Sequence, residues 1–310
     1  MIPYGRQTIT EADVEAVVES LKSAFLTQGP LVPRFESALS NILHSDYAVA
    51  VNSGTSALHL SCLALGLSPG KTLWTSPITF VASANCARYC GAEVDFVDID
   101  PKTGLLSLEE LERKLRRADK LRTLPDVIVP VHLSGTSCSM FEIQRLVRPY
   151  GISIIEDASH AIGSYYLSER VGCCEFSDVS VFSFHPVKII TTAEGGAITT
   201  NNPEIDKNIR LLRSHGITKE SSQFVFRPAG PWAYEQHDLG FNYRLTDLQA
   251  ALGLSQLTRL DEIILERNRL LMRYADLLQP LPVKLLDIPP QCQSSVHLAV
   301  IRLLSQDKQN

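Results

Sequence analysis

The feature that most constrains the fold of this chain is an alternation of short apolar runs with longer helical patterns. The apolar runs, rich in β-branched residues, are residues 47–51, 72–76, 93–97, 127–132 and 153–157. The helical patterns between them are residues 55–65, 80–89, 107–117 and 139–149. Such alternation predicts an α/β fold with a mostly parallel sheet and helices on both faces, because parallel strands need long crossover connections.

The pattern changes after Thr246. Apolar residues recur at helical spacing over residues 246–279, which predicts one long helix that ends before Pro280 and Pro282. Residues 296–303 read as a further strand. A chain of 310 residues is long enough for one large domain and part of another.

Charge and composition exclude several kinds of partner. The formal net charge is −5, and no basic run suggests contact with nucleic acid or a membrane surface. No apolar run approaches the ~20 residues that span a bilayer, and no secretory signal is visible. The seven cysteines have neither disulfide nor zinc-ligand spacing. We therefore expect a cytoplasmic protein without a metal site.

Lys188 is the first candidate for chemistry. It lies among apolar residues, five positions after Ser183 and shortly before Gly195 and Gly196. A lysine in apolar surroundings has a lowered pKa and becomes a good nucleophile toward an aldehyde. The alternative is an amphipathic side chain whose ammonium reaches water. This segment alone does not decide between them.

A second segment supports the chemical interpretation. The apolar run 153–157 ends in Asp157, and His160 follows three residues later. Ligands of open α/β sheets bind at the carboxyl ends of strands, where these two residues fall. Pyridoxal phosphate needs a lysine for its aldehyde, an acid for its ring nitrogen and a site for its phosphate. Asp157 is the candidate acid, and His160 is a candidate contact of the phenolic oxygen.

The candidate phosphate site is the turn before the helical pattern at 55–65. Gly54 and Thr55 follow a strand-like run and begin a helix, whose amide groups and dipole bind phosphate. A plain helix cap is the alternative for this turn taken alone. Together with Ser183, Asp157 and Lys188, the turn favours a pyridoxal phosphate site.

These segments resemble the sugar-nucleotide aminotransferases of the DegT/DnrJ/EryC1/StrS family. The stretches that carry the resemblance are residues 26–30, 52–57, 156–160, 183–188 with 194–196, and 240–247. The resemblance runs in order from about Pro3 to Arg302. It implies fold type I of the pyridoxal phosphate-dependent transferases. It also implies a large cofactor-binding domain at 1–245, with a connecting helix and the start of a small C-terminal α/β domain at 246–310. Family members continue further, so we expect that small domain to be truncated here.

The resemblance also implies roles for further residues. Phe80 would lie against the cofactor ring, with a core aromatic as the alternative. Asn242 would reach the phosphate of a second subunit in a homodimer with shared sites, with a plain turn at positive φ as the alternative. A substrate diphosphate and sugar need cationic and polar groups. The candidates are Tyr4, Arg6, Thr27, Gln28 and His185, with Arg213 and His215 as weaker ones that could be ordinary surface residues.

The implied reaction is transfer of an amino group, with glutamate as donor, to C4 of a UDP-linked 4-keto-6-deoxy-N-acetylhexosamine. Residues 2–7, 186–190 and 235–239 resemble the branch that makes a pseudaminic acid precursor. The alternatives are another nucleotide 4-keto or 3-keto sugar, a dehydratase of the same fold, and a truncated non-catalytic relative. Lys188 argues against the dehydratase, in which a histidine replaces the lysine.

Overall fold

The computed structural model describes residues 5–304. Its strands are β1 Tyr47–Val51, β2 Thr72–Thr75, β3 Glu93–Phe96, β4 Val127–Val129, β5 Ser153–Asp157, β6 Tyr165–Tyr166, β7 Glu169–Arg170, β8 Val179–Ser183, β9 Gly196–Thr200, β10 Ile217–Thr218, β11 Glu235–Gln236, β12 Val283–Leu285, β13 Cys292–Gln293 and β14 Ile301–Leu303. The predicted strands β1 to β5 are confirmed, whereas β8 and β9 were not predicted.

The helices cover the predicted segments and several others. They are α1 Glu11–Lys22, α2 Leu31–Leu43, α3 Gly54–Ala64, α4 Ala82–Tyr89, α5 Leu108–Leu121, α6 Met140–Val147, α7 Pro203–Arg213, α8 Asp247–Leu257 and α9 Leu260–Leu278. Local sequence fixes several starts. Ser53 caps α3 and Ser107 caps α5 through their side-chain oxygens, and Asn202 caps α7 just before Pro203. Within residues 5–304, no helix is long and apolar enough to cross a membrane.

The central sheet confirms the predicted architecture. Among the described residues it has the strand order β1-β9-β8-β5-β4-β2-β3, and the pairs from β8 to β3 are parallel. β9 is antiparallel to both β8 and β1. Because two antiparallel steps restore the direction, β1, β5 and β8 all end at the same edge of the sheet. The three predicted cofactor segments therefore meet at that edge.

Helices cover both faces of this sheet. Along β1, Val49 and Val51 belong to the apolar cluster that includes α3, α4 and α7. Ala48 and Ala50 belong to the cluster on the other face, which includes α2 and α8. This alternation of side chains across one strand is the arrangement of a buried sheet in an α/β protein.

The prediction of one long helix over 246–279 is wrong, because two helices, α8 and α9, occupy this segment. The break falls at Thr258 and Arg259. Thr258 Oγ1 donates to the carbonyl oxygen of Ser255, a bond that competes with helix continuation. Arg259 Nη2 pairs with the buried carboxylate of Asp13 on α1, 2.7 Å away. A contact distant in sequence thus accompanies the break.

The prediction of a strand over 296–303 is also wrong in extent. Only Ile301–Leu303 is a strand, and it pairs with β12. Val296 has φ +52°, which is incompatible with an extended strand. Just before it, β13 pairs with β6, which follows β5 in the chain. The segment between β13 and β14 therefore packs beside the edge at which β5 ends.

Candidate active site

Asp157 is the last residue of β5 and is buried. Its Oδ2 accepts a 2.6 Å hydrogen bond from Ser83 Oγ, and its Oδ1 accepts one of 3.1 Å from the backbone N–H of Ser159. A buried carboxylate with a side-chain donor on one oxygen and a backbone donor on the other has a fixed orientation. Ser83, on α4, was not identified in the sequence.

Lys188 lies in the turn after β8, half-buried, with buried Ile189 and Ile190 following it. Burial lowers the pKa of Lys188 below its ordinary value of 10.5, and the charge of Asp157 offsets this only in part. The direction agrees with the lowered pKa predicted from the sequence. The charge of Asp157 is therefore near enough to act on Lys188 at this edge of the sheet.

His160 lies in the loop that follows Asp157. Its Nδ1 is buried and has no hydrogen-bond partner within residues 5–304. Burial and the charge of Lys188 lower the pKa of His160 to about 4, against the opposing effect of Asp157. The imidazole is therefore uncharged near neutral pH. Its ring centroid lies 4.3 Å from that of His297, which was also not identified in the sequence.

A second acid stabilises the strand that carries Asp157. The neighbouring Glu156 points to the other face, where it hydrogen-bonds His132 Nε2 at 2.7 Å and accepts from Ser180 Oγ at 3.0 Å. Burial acts to raise the pKa of Glu156, but these hydrogen bonds outweigh it and hold the pKa below its ordinary value. His132 Nδ1 accepts the backbone N–H of Cys138. Hydrogen bonds on the opposite face of the sheet from Asp157 thus hold the end of β5 in place.

The N-terminus of α3 meets the end of β8. A Cβ added to Gly54 would lie 2.9 Å from Cβ of Ser183, so only glycine fits at this position without a shift. Ser53 Oγ accepts the backbone N–H of Ser56. The amides of Gly54 and Thr55 come before the first helical hydrogen bond of α3 and have no helical partners. Gly54, Thr55 and Ser183 are therefore brought together, as the sequence predicts.

Phe80 lies in the loop before α4, and its carbonyl oxygen accepts a hydrogen bond from the Ser83 backbone N–H. Its side chain is 69% exposed, so the core-aromatic alternative is wrong. One turn of chain therefore connects an exposed aromatic ring to the serine that orients Asp157.

Asn242 is exposed and lies beside the phosphate turn of its own chain. Its carbonyl oxygen accepts from Asn52 Nδ2 at 3.3 Å, and it forms an antiparallel bridge with Ser214. It is not among the residues with positive φ, so the plain-turn alternative is wrong in that detail. Within residues 5–304 its side-chain amide makes no hydrogen bond.

The predicted substrate residues fall into two groups. Arg6 follows Gly5, whose added Cβ would lie 3.8 Å from Val187, next to Lys188. Exposed His185 lies in the same turn as Lys188. Thr27 bridges to Thr246, and Gln28 has φ +56°. Tyr4 lies outside the described residues.

The two weaker substrate candidates, Arg213 and His215, make contacts within the chain. Arg213 Nη1 donates to the carboxylate of Glu36 at 2.6 Å and to the carbonyl oxygen of Ala50 at 2.8 Å. These contacts account for Arg213 without a substrate. His215 has φ +63°, and its backbone N–H donates to the Phe241 carbonyl oxygen. It supports the loop that carries Asn242.

Comparison with known proteins gives consistent matches along the whole chain. The profile of the DegT/DnrJ/EryC1/StrS aminotransferase family matches residues 7–310. A Campylobacter jejuni protein (strain 81-176) named UDP-4-amino-4,6-dideoxy-N-acetyl-beta-L-altrosamine transaminase is 42% identical over 274 residues, which are 88% of this chain and 69% of that protein.

Two solved structures have the same fold. Helicobacter pylori PseC, an aminotransferase involved in the biosynthesis of pseudoaminic acid, is 34% identical with a TM-score of 0.86, and the match covers 97% of this chain and 77% of PseC. Spr1654 of Streptococcus pneumoniae in its PLP form is 29% identical with a TM-score of 0.84. That match covers 97% of this chain and 78% of Spr1654.

Proposed function

This chain belongs to the DegT/DnrJ/EryC1/StrS aminotransferase family, and on that premise we propose that it aminates C4 of a UDP-linked 4-keto-6-deoxy-N-acetylhexosamine. It is a pyridoxal 5′-phosphate-dependent aminotransferase. The observation that carries the proposal is Lys188, a half-buried amine influenced by the charge of buried Asp157 in a chain 42% identical to a named UDP-sugar transaminase.

The proposal extends to donor, pathway and location. Glutamate is the proposed amino donor, and the product is a precursor of pseudaminic acid. We propose that the reaction takes place in the cytoplasm and serves cell-surface glycosylation, including that of flagellin.

The described residues fit the cofactor. The glycine-only contact between Gly54 and Ser183 brings a serine hydroxyl to the unpaired amides of α3, as a phosphate requires. The oriented carboxylate of Asp157 suits a protonated ring nitrogen, and the buried, unpaired Nδ1 of His160 marks a polar position left for a ligand atom. When bound, pyridoxal phosphate supplies an aldehyde for the amino group and a ring that takes up negative charge from the reacting carbon.

The side chains then have separate tasks. Asp157 holds the proton on the ring nitrogen, and Ser83 keeps that carboxylate in place. Nζ of Lys188, whose pKa is lowered, accepts the proton that leaves the α-carbon of the amino donor. Uncharged His160 can donate a hydrogen bond to the phenolic oxygen without adding a positive charge beside Lys188. Phe80 covers the ring face and excludes water.

The sugar nucleotide is proposed to bind over Lys188, between the N-terminal segment and the turn at Gln28. Arg6 follows Gly5, which lies beside Val187, and His185 lies in the same turn as Lys188. The turn that follows Gln28 is held by Asp247, whose carboxylate accepts the backbone N–H groups of Gly29 and Leu31. An arginine suits two-point contact with a diphosphate, and a fixed amide suits a sugar hydroxyl.

We also propose that the enzyme is a homodimer with shared sites. The loop around β11 exposes large apolar side chains, among them Phe226, Trp232 at 75% exposure, and Leu239. Several large exposed apolar side chains in one loop are typical of an interface. The loop precedes exposed Asn242, so a second copy docked there would receive Asn242 near its phosphate site.

A competition assay tests the function. The purified chain, loaded with pyridoxal phosphate and glutamate, is offered UDP-4-keto-6-deoxy-N-acetyl-L-altrosamine together with its C5 epimer and a dTDP-4-keto sugar. We expect the first to be aminated fastest, as followed by mass spectrometry of the products. Preference for the dTDP sugar would contradict the proposed substrate. Absence of amination of all three sugars would contradict the proposed reaction.

A further inference from the structure

His297 places an imidazole from the C-terminal segment directly against His160. The ring centroids are 4.3 Å apart, and the planes are inclined by 41°. The side chain of His297 is 8% exposed, and its Nδ1 has no hydrogen-bond partner within residues 5–304. Buried His297 and half-buried His160 thus contact one another at the edge of the sheet where β5 ends.

Packing is what orients the ring of His160. Since its buried Nδ1 lacks a partner in the described part of the chain, that nitrogen does not fix the side-chain torsions. The backbone around it is fixed, because the His160 carbonyl oxygen accepts from Ser295 Oγ at 3.2 Å. The aromatic ring in contact with His160 is that of His297. Removal of this ring would let the imidazole of His160 turn away.

The backbone that carries His297 is held in a costly conformation. Val296 is β-branched and has φ +52°, a region that such residues rarely occupy unless their surroundings enforce it. Arg267 Nη1 donates to the carbonyl oxygens of Val296 and His297, at 3.2 and 3.3 Å. The backbone N–H of His297 donates to the Ser134 carbonyl oxygen at 2.7 Å. Three contacts thus enforce the bend that turns the His297 ring inward.

We propose that His297 is a positioning residue that fixes the imidazole of His160 beside the cofactor ring. This inference rests on the proposed function, which gives His160 its contact with the phenolic oxygen. Burial and the charges of His160, Lys188 and Arg267 lower the pKa of His297 to about 2, so its ring is uncharged. An uncharged ring can pack on His160 without adding a like charge next to Lys188.

Nitrogen-15 NMR of labelled histidines in the cofactor-free full chain tests the positioning directly. The signals of His160 are assigned by their loss in His160→Gln. We expect one sharp set in the wild type, broadened or doubled signals in His297→Ala, and recovery of one set in His297→Phe, which keeps the ring. His44→Asn, at the exposed end of α2, is the matched control. Unchanged His160 signals in His297→Ala, or a His297→Phe spectrum like that of His297→Ala, would overturn the proposal.

Kinetics of the loaded enzyme provide the second readout. We expect His297→Ala to lower kcat about tenfold with an unchanged KM for the keto sugar, and His297→Phe to restore most of it. A raised KM with unchanged kcat would show instead that His297 contacts the substrate. If His297→Ala loses cooperative unfolding, His297→Gln, which keeps the volume without the ring, replaces it. Absence of wild-type amination contradicts the proposed function, while the cofactor-free spectra still decide the role of His297.

Discussion

Ser83 donates a 2.6 Å hydrogen bond to Oδ2 of Asp157 and so connects α4 to the carboxyl end of β5. Ser83 Oγ also lies 2.7 Å from Thr79 Oγ1, so a chain of hydroxyl groups leads to the carboxylate. The acid proposed to hold the ring proton is therefore positioned by the same helix that follows Phe80.

Asp157→Asn should lower kcat about a hundredfold, because an amide cannot keep the ring nitrogen protonated and a few kcal/mol of transition-state stabilisation are lost. Ser83→Ala should cost less, about tenfold, since the charge remains and only its orientation is relaxed. Steady-state rates measure both, with Ser68→Ala in the loop before β2 as control. An Asp157→Asn enzyme as fast as the wild type would show that Asp157 does not act on the ring.

Lys188→Ala should abolish turnover, with a loss of roughly 10²–10⁴-fold or more, because Nζ of Lys188 is the group proposed to move the proton. Borohydride should fix the cofactor covalently to the wild type and to Lys120→Ala, a change on the exposed face of α5, but not to Lys188→Ala. Intact-protein mass spectrometry gives the answer. Covalent labelling of Lys188→Ala would exclude Lys188 as the cofactor lysine.

The lowered pKa of Lys188 also leads to a prediction about how the free energy of unfolding depends on pH. Between its lowered pKa and the ordinary 10.5, the unfolded chain binds more protons at Lys188 than the folded one, so this residue makes stability rise with pH. In the cofactor-free protein, Lys188→Met should therefore stabilise the fold most at pH values below the lowered pKa of Lys188, and less as pH rises from there toward 10.5. Urea unfolding measures the difference. A pH-independent difference would contradict the lowered pKa.

Gly54→Ala should destabilise the protein by about 1–3 kcal/mol, because the new methyl group overlaps Cβ of Ser183. The double variant Gly54→Ala with Ser183→Gly removes the overlapping atom. It should recover the melting temperature but not the affinity for pyridoxal phosphate, because the serine hydroxyl is gone. Recovery of both would mean that Ser183 does not bind the phosphate.

Shared sites predict complementation between two defective proteins. In a mixed dimer of Lys188→Ala and Asn242→Ala subunits, one site has an intact Lys188 from one subunit and an intact Asn242 from the other. Random mixing should restore up to about a quarter of wild-type activity. Sedimentation should show a dimer that Trp232→Ser weakens and Leu121→Ser, on α5, does not. Failure of the mixture to exceed its components would refute the shared site.

The sheet and the proximity of Asp157 to Lys188 could be predicted, because both depend on local patterns and a general rule. Apolar runs of strand length located β1 to β5, and the rule that ligands bind at the carboxyl ends of strands brought Asp157 near Lys188. The Gly54 and Ser183 contact follows from the same rule, since both strands end at one edge.

The remaining features depend on contacts distant in sequence. The helix break at Arg259 is accompanied by a pair with Asp13 on α1, almost the length of the chain away. Nothing in the local pattern marks Ser83 among other small helix residues. The bend at Val296 opposes its own β-propensity and exists because Arg267 and Ser134 bind the neighbouring backbone. Local propensity therefore predicts a strand where the fold enforces a turn.

The pairing of β13 with β6 has a mechanical consequence. Residues 292–297 are fastened beside the central sheet by this pairing and by the backbone bonds to Ser134 and Gly135. β12 precedes these residues in the chain, and β14, with which it pairs, follows them. The backbone N–H of Asp287, just after β12, also donates to the carbonyl oxygen of Lys102, so both strands of the β12–β14 ribbon adjoin anchored segments, and the segment that carries His297 is one of them.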